Sequence, residues 1–220
     1  MPPIPPQVAE VYKVLSEEVT WLHVRWICFR QLFVESDRRI EMLNECASTF
    51  FFIIQNVLIE EIQVCLSKLT DSAQSRKGKG DDNLSLEQLQ SRLEQCGDAN
   101  LATDNRITLN ALLSKVKLIR DWRNKKLAHF DLLTAMKASP NQLPDVTRQM
   151  IEDALSLVRQ YLNAIEQHYN ISVIGYEHFI TNSDGDALLA TLRYGLRYEE
   201  LLKKEKIPYD DWRNGKWRDA

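Results

Sequence analysis

Apolar residues recur at intervals of three and four along most of the chain. Val8, Val11, Leu15, Val19, Leu22, Trp26 and Phe29 form one stripe, which predicts an amphipathic helix over residues 8–33. Ser36 is placed to cap a second helix, with Asp37 in its first turn. Ile40, Leu43, Ala47, Phe50, Ile54, Val57, Glu61, Val64 and Leu69 carry that helix to Leu69. Its middle, Phe50-Phe51-Phe52-Ile53-Ile54, is apolar on every side, which predicts a place at the centre of a bundle. Residues 72–83 lose the periodicity and hold two glycines, so a mobile loop is expected there. Ser85 and Gln88 form a capping-box pattern before a short helix with Leu86, Leu89 and Leu93, ending at Gly97. Thr103 or Asp104 is the expected cap of a third long helix with the stripe Ile107, Leu109, Leu112, Leu113, Val116 and Ile119. A fourth is expected over about 145–169, on Ile151, Leu155, Val158, Leu162 and Ile165. A β-rich run follows over 171–176, then a last amphipathic helix over about 185–204.

Four long helices with short connections predict an all-α fold, an antiparallel bundle of four long helices with short accessory and C-terminal helices. One helical domain over 1–170 is expected, with a C-terminal extension over 171–220 packed on it. Only 7 Gly and 7 Pro in 220 residues fit helices better than many tight turns. The cysteines Cys28, Cys46, Cys65 and Cys96 share no Cys-x-x-Cys spacing. Three lie in apolar helical patterns, which points to buried free thiols in a reducing compartment rather than disulfides or zinc. The N-terminus lacks the basic and apolar regions of a signal peptide. The most apolar window, residues 46–59, is shorter than a membrane span needs. A soluble, cytoplasmic protein without membrane contact is the expectation.

The formal net charge of −3 argues against a surface that is basic throughout. It hides one local feature. Residues 115–126 hold Lys115, Lys117, Arg120, Arg123, Lys125 and Lys126 against a single acid, Asp121. These 12 residues therefore carry +5, and the other 208 carry −8. The stripe Leu109, Leu112, Val116, Ile119 next reaches Arg123. An arginine at a core position must be paired, face a cavity, or face a partner chain.

Arg123 offers a bidentate fork to a phosphate. His129 titrates near neutrality in water and can move the proton of a ribose 2′-OH or of a leaving 5′-oxygen. Asn124 can hold a phosphate oxygen or a base edge. Arg120, Lys125 and Lys126 can steer a polyanion. Six residues of straight α-helix separate Arg123 and His129 by about 120° and about 9 Å. One unbroken helix therefore cannot bring both to a single phosphorus. Either the helix breaks near the motif, or two copies complete one cleft across a two-fold axis. The second is the favoured expectation. No cofactor and no metal site is expected; His168 and His178 lack zinc-ligand spacing.

The string Ile119-Arg120-Asp121-Trp122-Arg123-Asn124-Lys125-Lys126-Leu127-Ala128-His129-Phe130-Asp131 resembles the signature of the HEPN superfamily, an Arg, a polar residue, and a His four to six residues on. The Arg-Asn start and Ala-His-x-Asp ending resemble the abortive-infection U (AbiU2-like) HEPN proteins. Leu66-Ser67-Lys68-Leu69-Thr70-Asp71, with the Gly/Lys loop and Asn83-Leu84-Ser85-Leu86 after it, is also similar to that group. The resemblance covers roughly residues 8–169. It implies a helical domain that dimerises through its motif helices. For active members it implies metal-independent endoribonuclease activity in antiphage defence or toxin–antitoxin systems, with an antitoxin protein as a further partner. Arg123, Asn124 and His129 match as catalytic positions. Asp131 matches the group pattern and is grouped with Arg120, Lys125 and Lys126 as RNA-binding. The rival reading is a non-catalytic dimerisation or interaction module that uses the same motif structurally.

Overall fold

The structure, a computed structural model, describes residues 3–75, 81–127, 144–178 and 182–207, with the backbone alone for 126 and 127. Among these residues the fold is all-α. Its helices are α1 (Pro6–Phe33), α2 (Asp37–Leu69), α3 (Leu86–Gln95), α4 (Ala99–Lys115), α5 (Lys117–Trp122), a π-helical turn (Arg123–Leu127), α6 (Arg148–His168), a 3-10 turn (Tyr176–His178) and α7 (Gly185–Lys203). The chain divides into two compact units. One holds Met1–Trp26 and Val57–Phe179, the other Ile27–Asn56 and Ile180–Ala220.

In the first unit the apolar stripes meet as their spacing requires. Leu15, Val19 and Leu22 of α1, Ile62 and Leu66 of α2, Leu109 and Leu112 of α4, and Leu155, Val158 and Leu162 of α6 are all fully buried. Cross-links show the directions. Asn105 Nδ2 donates to the Tyr161 carbonyl at 3.2 Å, and Lys115 pairs with Asp153 at 3.1 Å, so α4 and α6 run antiparallel. Tyr12 donates to Glu166 at 2.7 Å and Trp26 to Glu152 at 2.7 Å, so α1 and α6 do the same. Gln90 on the Ala102 carbonyl at 2.8 Å and Arg106 on Glu87 at 2.8 Å fold α3 back along α4.

Caps set the helix starts. Ser85 Oγ accepts from Gln88 N–H at 3.3 Å, as its capping box predicts. The start of α4 differs from expectation. Asp98 caps it by accepting from Leu101 N–H at 3.5 Å, five residues before the expected Thr103. Gly97, at φ +81°, reverses the chain after α3, so the next polar residue is already in capping position. On α4, Ile107 is exposed rather than inward.

Two further expectations are corrected. The β-rich run over 171–176 forms no strand. Ile171 N–H donates to the Glu166 carbonyl at 3.0 Å and Ile174 N–H to Glu166 Oε2 at 2.8 Å. These two donors are satisfied by Glu166 of α6, and among the described residues no second strand competes for them. Asn170, at φ 53°, makes the turn. The loop expected over 72–83 is closed at its base by a bridge between Gln74 and Asp82, with Asn83 N–H on the Ala73 carbonyl at 2.8 Å. Residues 76–80 lie outside the described residues.

The middle of α2 is also unlike its expectation. Phe51 is buried, but Phe50, Phe52 and Ile53 are 57%, 67% and 52% exposed. An all-round apolar sequence does not require all-round packing, and here one side of the helix packs. By length and composition α2 could cross a membrane, and 22% of its apolar window is buried. Ala47 has non-helical backbone angles (φ −164°, ψ 73°), and the uncharged helical run beyond it, residues 48–59, spans about 18 Å against the ~30 Å hydrocarbon layer. The four cysteines are free and half-buried rather than fully buried.

The second unit carries a small clamp around the start of α7. Gln31 Nε2 donates to Asp184 at 2.9 Å and to Asp186 at 3.3 Å, while its Oε1 accepts Gly185 N–H at 3.0 Å. Arg39 also pairs with Asp186 at 2.7 Å. A Cβ at Gly185 would stand 3.0 Å from Gln31 Cβ and 3.1 Å from Leu32 Cγ. Gly185→Ala is therefore expected to destabilise the protein by about 1–3 kcal/mol through overpacking, read as a lowered urea midpoint.

An internal polar cluster lies between α1, α6 and the 3-10 turn. His23 Nδ1–H donates to the Val19 carbonyl at 2.8 Å, which leaves Nε2 to accept from Arg159 at 3.2 Å. Burial, aided by the Arg159 charge, lowers the His23 pKa to about 4, against weaker opposing pulls from Val19 O, Glu177 and Glu152. The unfolded chain thus binds a proton that the folded chain does not, between pH 4 and about 6.5. This contribution is fully present above pH 6.5 and is lost as pH falls toward 4. Urea unfolding at pH 7 and pH 4 should differ by about 3 kcal/mol from this source, and His23→Gln should remove that part of the slope.

Candidate functional site

The motif helix is not continuous. Val116 closes α4 with its N–H on the Leu112 carbonyl at 2.9 Å, and α5 resumes with Arg120 N–H on the Val116 carbonyl at 2.9 Å. Val116 and Ile119 are fully buried and anchor this segment. At Arg123 the winding changes to a π-helical turn that runs to Leu127. Such turns break the regular register and recur at functional sites. The change of winding at Arg123 corresponds to the first of the two alternatives that the spacing left open, a departure from straight α-helix near the motif.

The stripe places Arg120 and Arg123 against the C-terminal end of α2. There Thr70 is buried, and its hydroxyl donates back to the Leu66 carbonyl at 2.8 Å. Its own carbonyl has no helical partner. Arg120 Nη1 donates to that carbonyl and to Thr70 Oγ1, the latter at 3.3 Å. A guanidinium is favoured at the negative end of a helix. Asp71, the next residue, binds both arginines. Its Oδ1 lies 2.9 Å from Arg120 Nη2 and 3.0 Å from Arg123 Nη2, and its Oδ2 lies 3.4 Å from Arg123 Nη1.

Two guanidinium groups on one carboxylate leave this cluster with a net +1. Arg123 is 23% exposed, and among the described residues its buried Nε has no hydrogen-bond partner. Asp71 therefore fixes the plane of the Arg123 fork while one of its N–H donors stays unused. Asn124 and Lys125 are exposed on the π-helical turn. Lys126 lies on the same turn by its backbone. His129 and Asp131 lie outside the described residues. Of the sequence-predicted residues, the structure brings Arg120 and Arg123 together.

Asp71 is the residue that the periodicity reading missed. On sequence, Thr70-Asp71 is most simply a helix terminus or an Asx-turn. The available signal was a demand for charge. Arg120 and Arg123 share one face at i, i+3, with no acid on that face to pair them. Asp71 stands in the segment that carried the upstream part of the family resemblance.

A cavity of about 400 Å³ adjoins the cluster and shares Asp71 with it. Its wall includes Arg25, Glu61, Cys65 and Lys68. Arg25 Nη1 reaches Cys65 Sγ at 3.9 Å, and the thiol donates to Glu61 Oε1 at 3.2 Å. Burial, reinforced by Glu61, pushes the Cys65 thiol up to about 11, so it stays protonated at neutral pH.

Compared with known proteins, no curated protein and no solved structure matches the chain. A family model does: the HEPN family described as AbiU2 matches residues 6–189, which takes in α1 through the start of α7. With the motif segment inside that match and most of the chain covered, this protein belongs to the AbiU2 family of HEPN proteins.

Proposed function

We propose that this protein is a metal-independent endoribonuclease of HEPN type, acting in antiphage defence or a toxin–antitoxin system. It works as a homodimer through its motif helices, with a composite cleft between two copies. The observation that carries this reading is the Arg123–Asn124–His129 string within a chain of this family, its first arginine held in a net-positive pair with Arg120. The 2′-oxygen attacks phosphorus as His129 of one copy takes its proton. The bond from phosphorus to O5′ breaks, and His129 of the second copy gives that oxygen a proton. Arg123 and Asn124 hold the non-bridging oxygens as charge builds on them. Arg120, Lys125, Lys126 and Asp131 line the RNA path. The products are a 2′,3′-cyclic phosphate and a 5′-hydroxyl. The internal nucleophile makes a metal-bound water unnecessary.

A second reading has its own supporting observation. The Arg123 fork is already engaged by Asp71, as a structural arginine in a non-catalytic dimerisation or interaction module would be. Arg123→Ala separates the two. As a catalytic group, its loss leaves the elution volume in gel filtration unchanged and lowers RNA cleavage at least a hundredfold. As a structural group, its loss shifts the protein to smaller species or unfolds it, and the wild type cleaves no RNA.

A further inference from the structure

We propose that the cavity beside Asp71 binds a guanine nucleotide, with Glu61 and Arg25 reading the base and Lys68 meeting its phosphate. The proposal extends the ribonuclease reading by naming a base, though binding itself is testable without cleavage.

Its volume of about 400 Å³ lies within the range of small-ligand sites. Leu69 and Leu84 supply apolar wall on which a planar base can lie, and Leu84 is 43% exposed. Its polar lining includes Glu61, Arg25 and Lys68. Glu61 and Arg25 both reach the Cys65 sulfur, at 3.2 and 3.9 Å, so an acceptor and a donor head group converge on one atom without pairing directly. Glu61 uses Oε1 on the thiol, and among the described residues its Oε2 has no partner.

Guanine presents donors at N1 and N2 beside acceptors at O6 and N7. A carboxylate accepts from the first pair, and an arginine donates to the second. Adenine would set its N1 acceptor against Glu61. Uracil and cytosine lack the N7 acceptor. Lys68 also lines the cavity and has no ion pair among the described residues. With Asp71 held by two arginines, the charge around the cavity is suited to one phosphate. Glu18 and Glu61 are offset by Arg25 and Lys68, and the Arg120–Arg123–Asp71 cluster adds +1.

Titration calorimetry of the full chain with the four 3′-mononucleotides tests this, alongside polarisation with short 2′-O-methyl oligonucleotides that cannot be cleaved. Guanosine 3′-monophosphate is expected to bind about tenfold or more tightly than the other three. Glu61→Gln should erase that preference, and Lys68→Ala should weaken all four alike. Binding of the free nucleotide, with no competition from oligonucleotide, makes a free nucleotide the ligand. A Glu61-dependent guanine preference seen with oligonucleotides alone makes the cavity a subsite for the RNA chain. Equal affinity for all four bases, or no Glu61-dependent binding of either probe, overturns the proposal. A wild type that prefers guanine but cleaves no RNA counts against the ribonuclease reading and leaves the cavity assignment standing.

Discussion

Replacing His129 by alanine is expected to lower RNA cleavage by about 10²–10⁴-fold while leaving helix content and elution volume unchanged. The proposed reaction moves two protons, one off the 2′-oxygen and one onto O5′, and His129 is the side chain in the motif suited to both near neutral pH. Arginine and asparagine can hold the phosphate, but neither exchanges a proton there. The pH profile carries the same signature. Activity that needs one neutral and one protonated imidazole peaks between the two apparent pKa values of the pair. Full activity in His129→Ala would remove the motif from the chemistry.

The second large effect concerns stability and lies away from the motif. Glu166 is fully buried on α6 and accepts three hydrogen bonds, from Tyr12 Oη at 2.7 Å, Tyr176 Oη at 2.9 Å and Ile174 N–H at 2.8 Å. Burial and the neighbouring carboxyl group push both phenols well above the usual tyrosine range, so they remain donors. Glu166→Ala leaves three donors without an acceptor and opens a cavity beside the buried ring of Tyr176. The expected loss is about 3–5 kcal/mol, read by urea denaturation. Glu166→Gln keeps the volume and one acceptor oxygen and should lose less. A change below about 0.5 kcal/mol in the alanine variant would mean that water replaces the carboxyl group. Since this cluster joins α1, α6 and the 3-10 turn, its loss should also expose the segment after Tyr169 to proteolysis.

Much of the helical order is written in the stripes. α1, α2 and α7 begin and end within two residues of the positions that spacing and caps indicate, because each has a long apolar face and a clear stop. The start of α4 was harder to read. Asp98, Thr103 and Asp104 are all capable caps, and the reversal at Gly97 decides among them. The run after α6 has β-branched residues but, among the described residues, no partner strand, so hydrogen bonds to Glu166 override local preference. The exposed face of α2 could not be read at all, since composition records which residues are apolar and not which of them are covered.

The site was legible to a similar depth. Arg123 stood out because it interrupts a core stripe, and the structure supplies the partner that this position requires. The identity of that partner was hidden, because Asp71 is 52 residues away and sits in a sequence that looks like an ordinary helix end. Charge patterning also singles out Lys125, and the structure shows that residue exposed on the π-helical turn.

The most direct measurement is the chemistry of the RNA ends. Purified wild type is incubated with a mixed-sequence RNA in excess EDTA, and the fragments are analysed by mass spectrometry, with His129→Ala prepared in parallel. Fragments ending in 2′,3′-cyclic phosphate and 5′-hydroxyl, absent with His129→Ala, are the predicted result. Intact RNA with the wild type under these and metal-containing conditions, or the same fragments from His129→Ala, would contradict it.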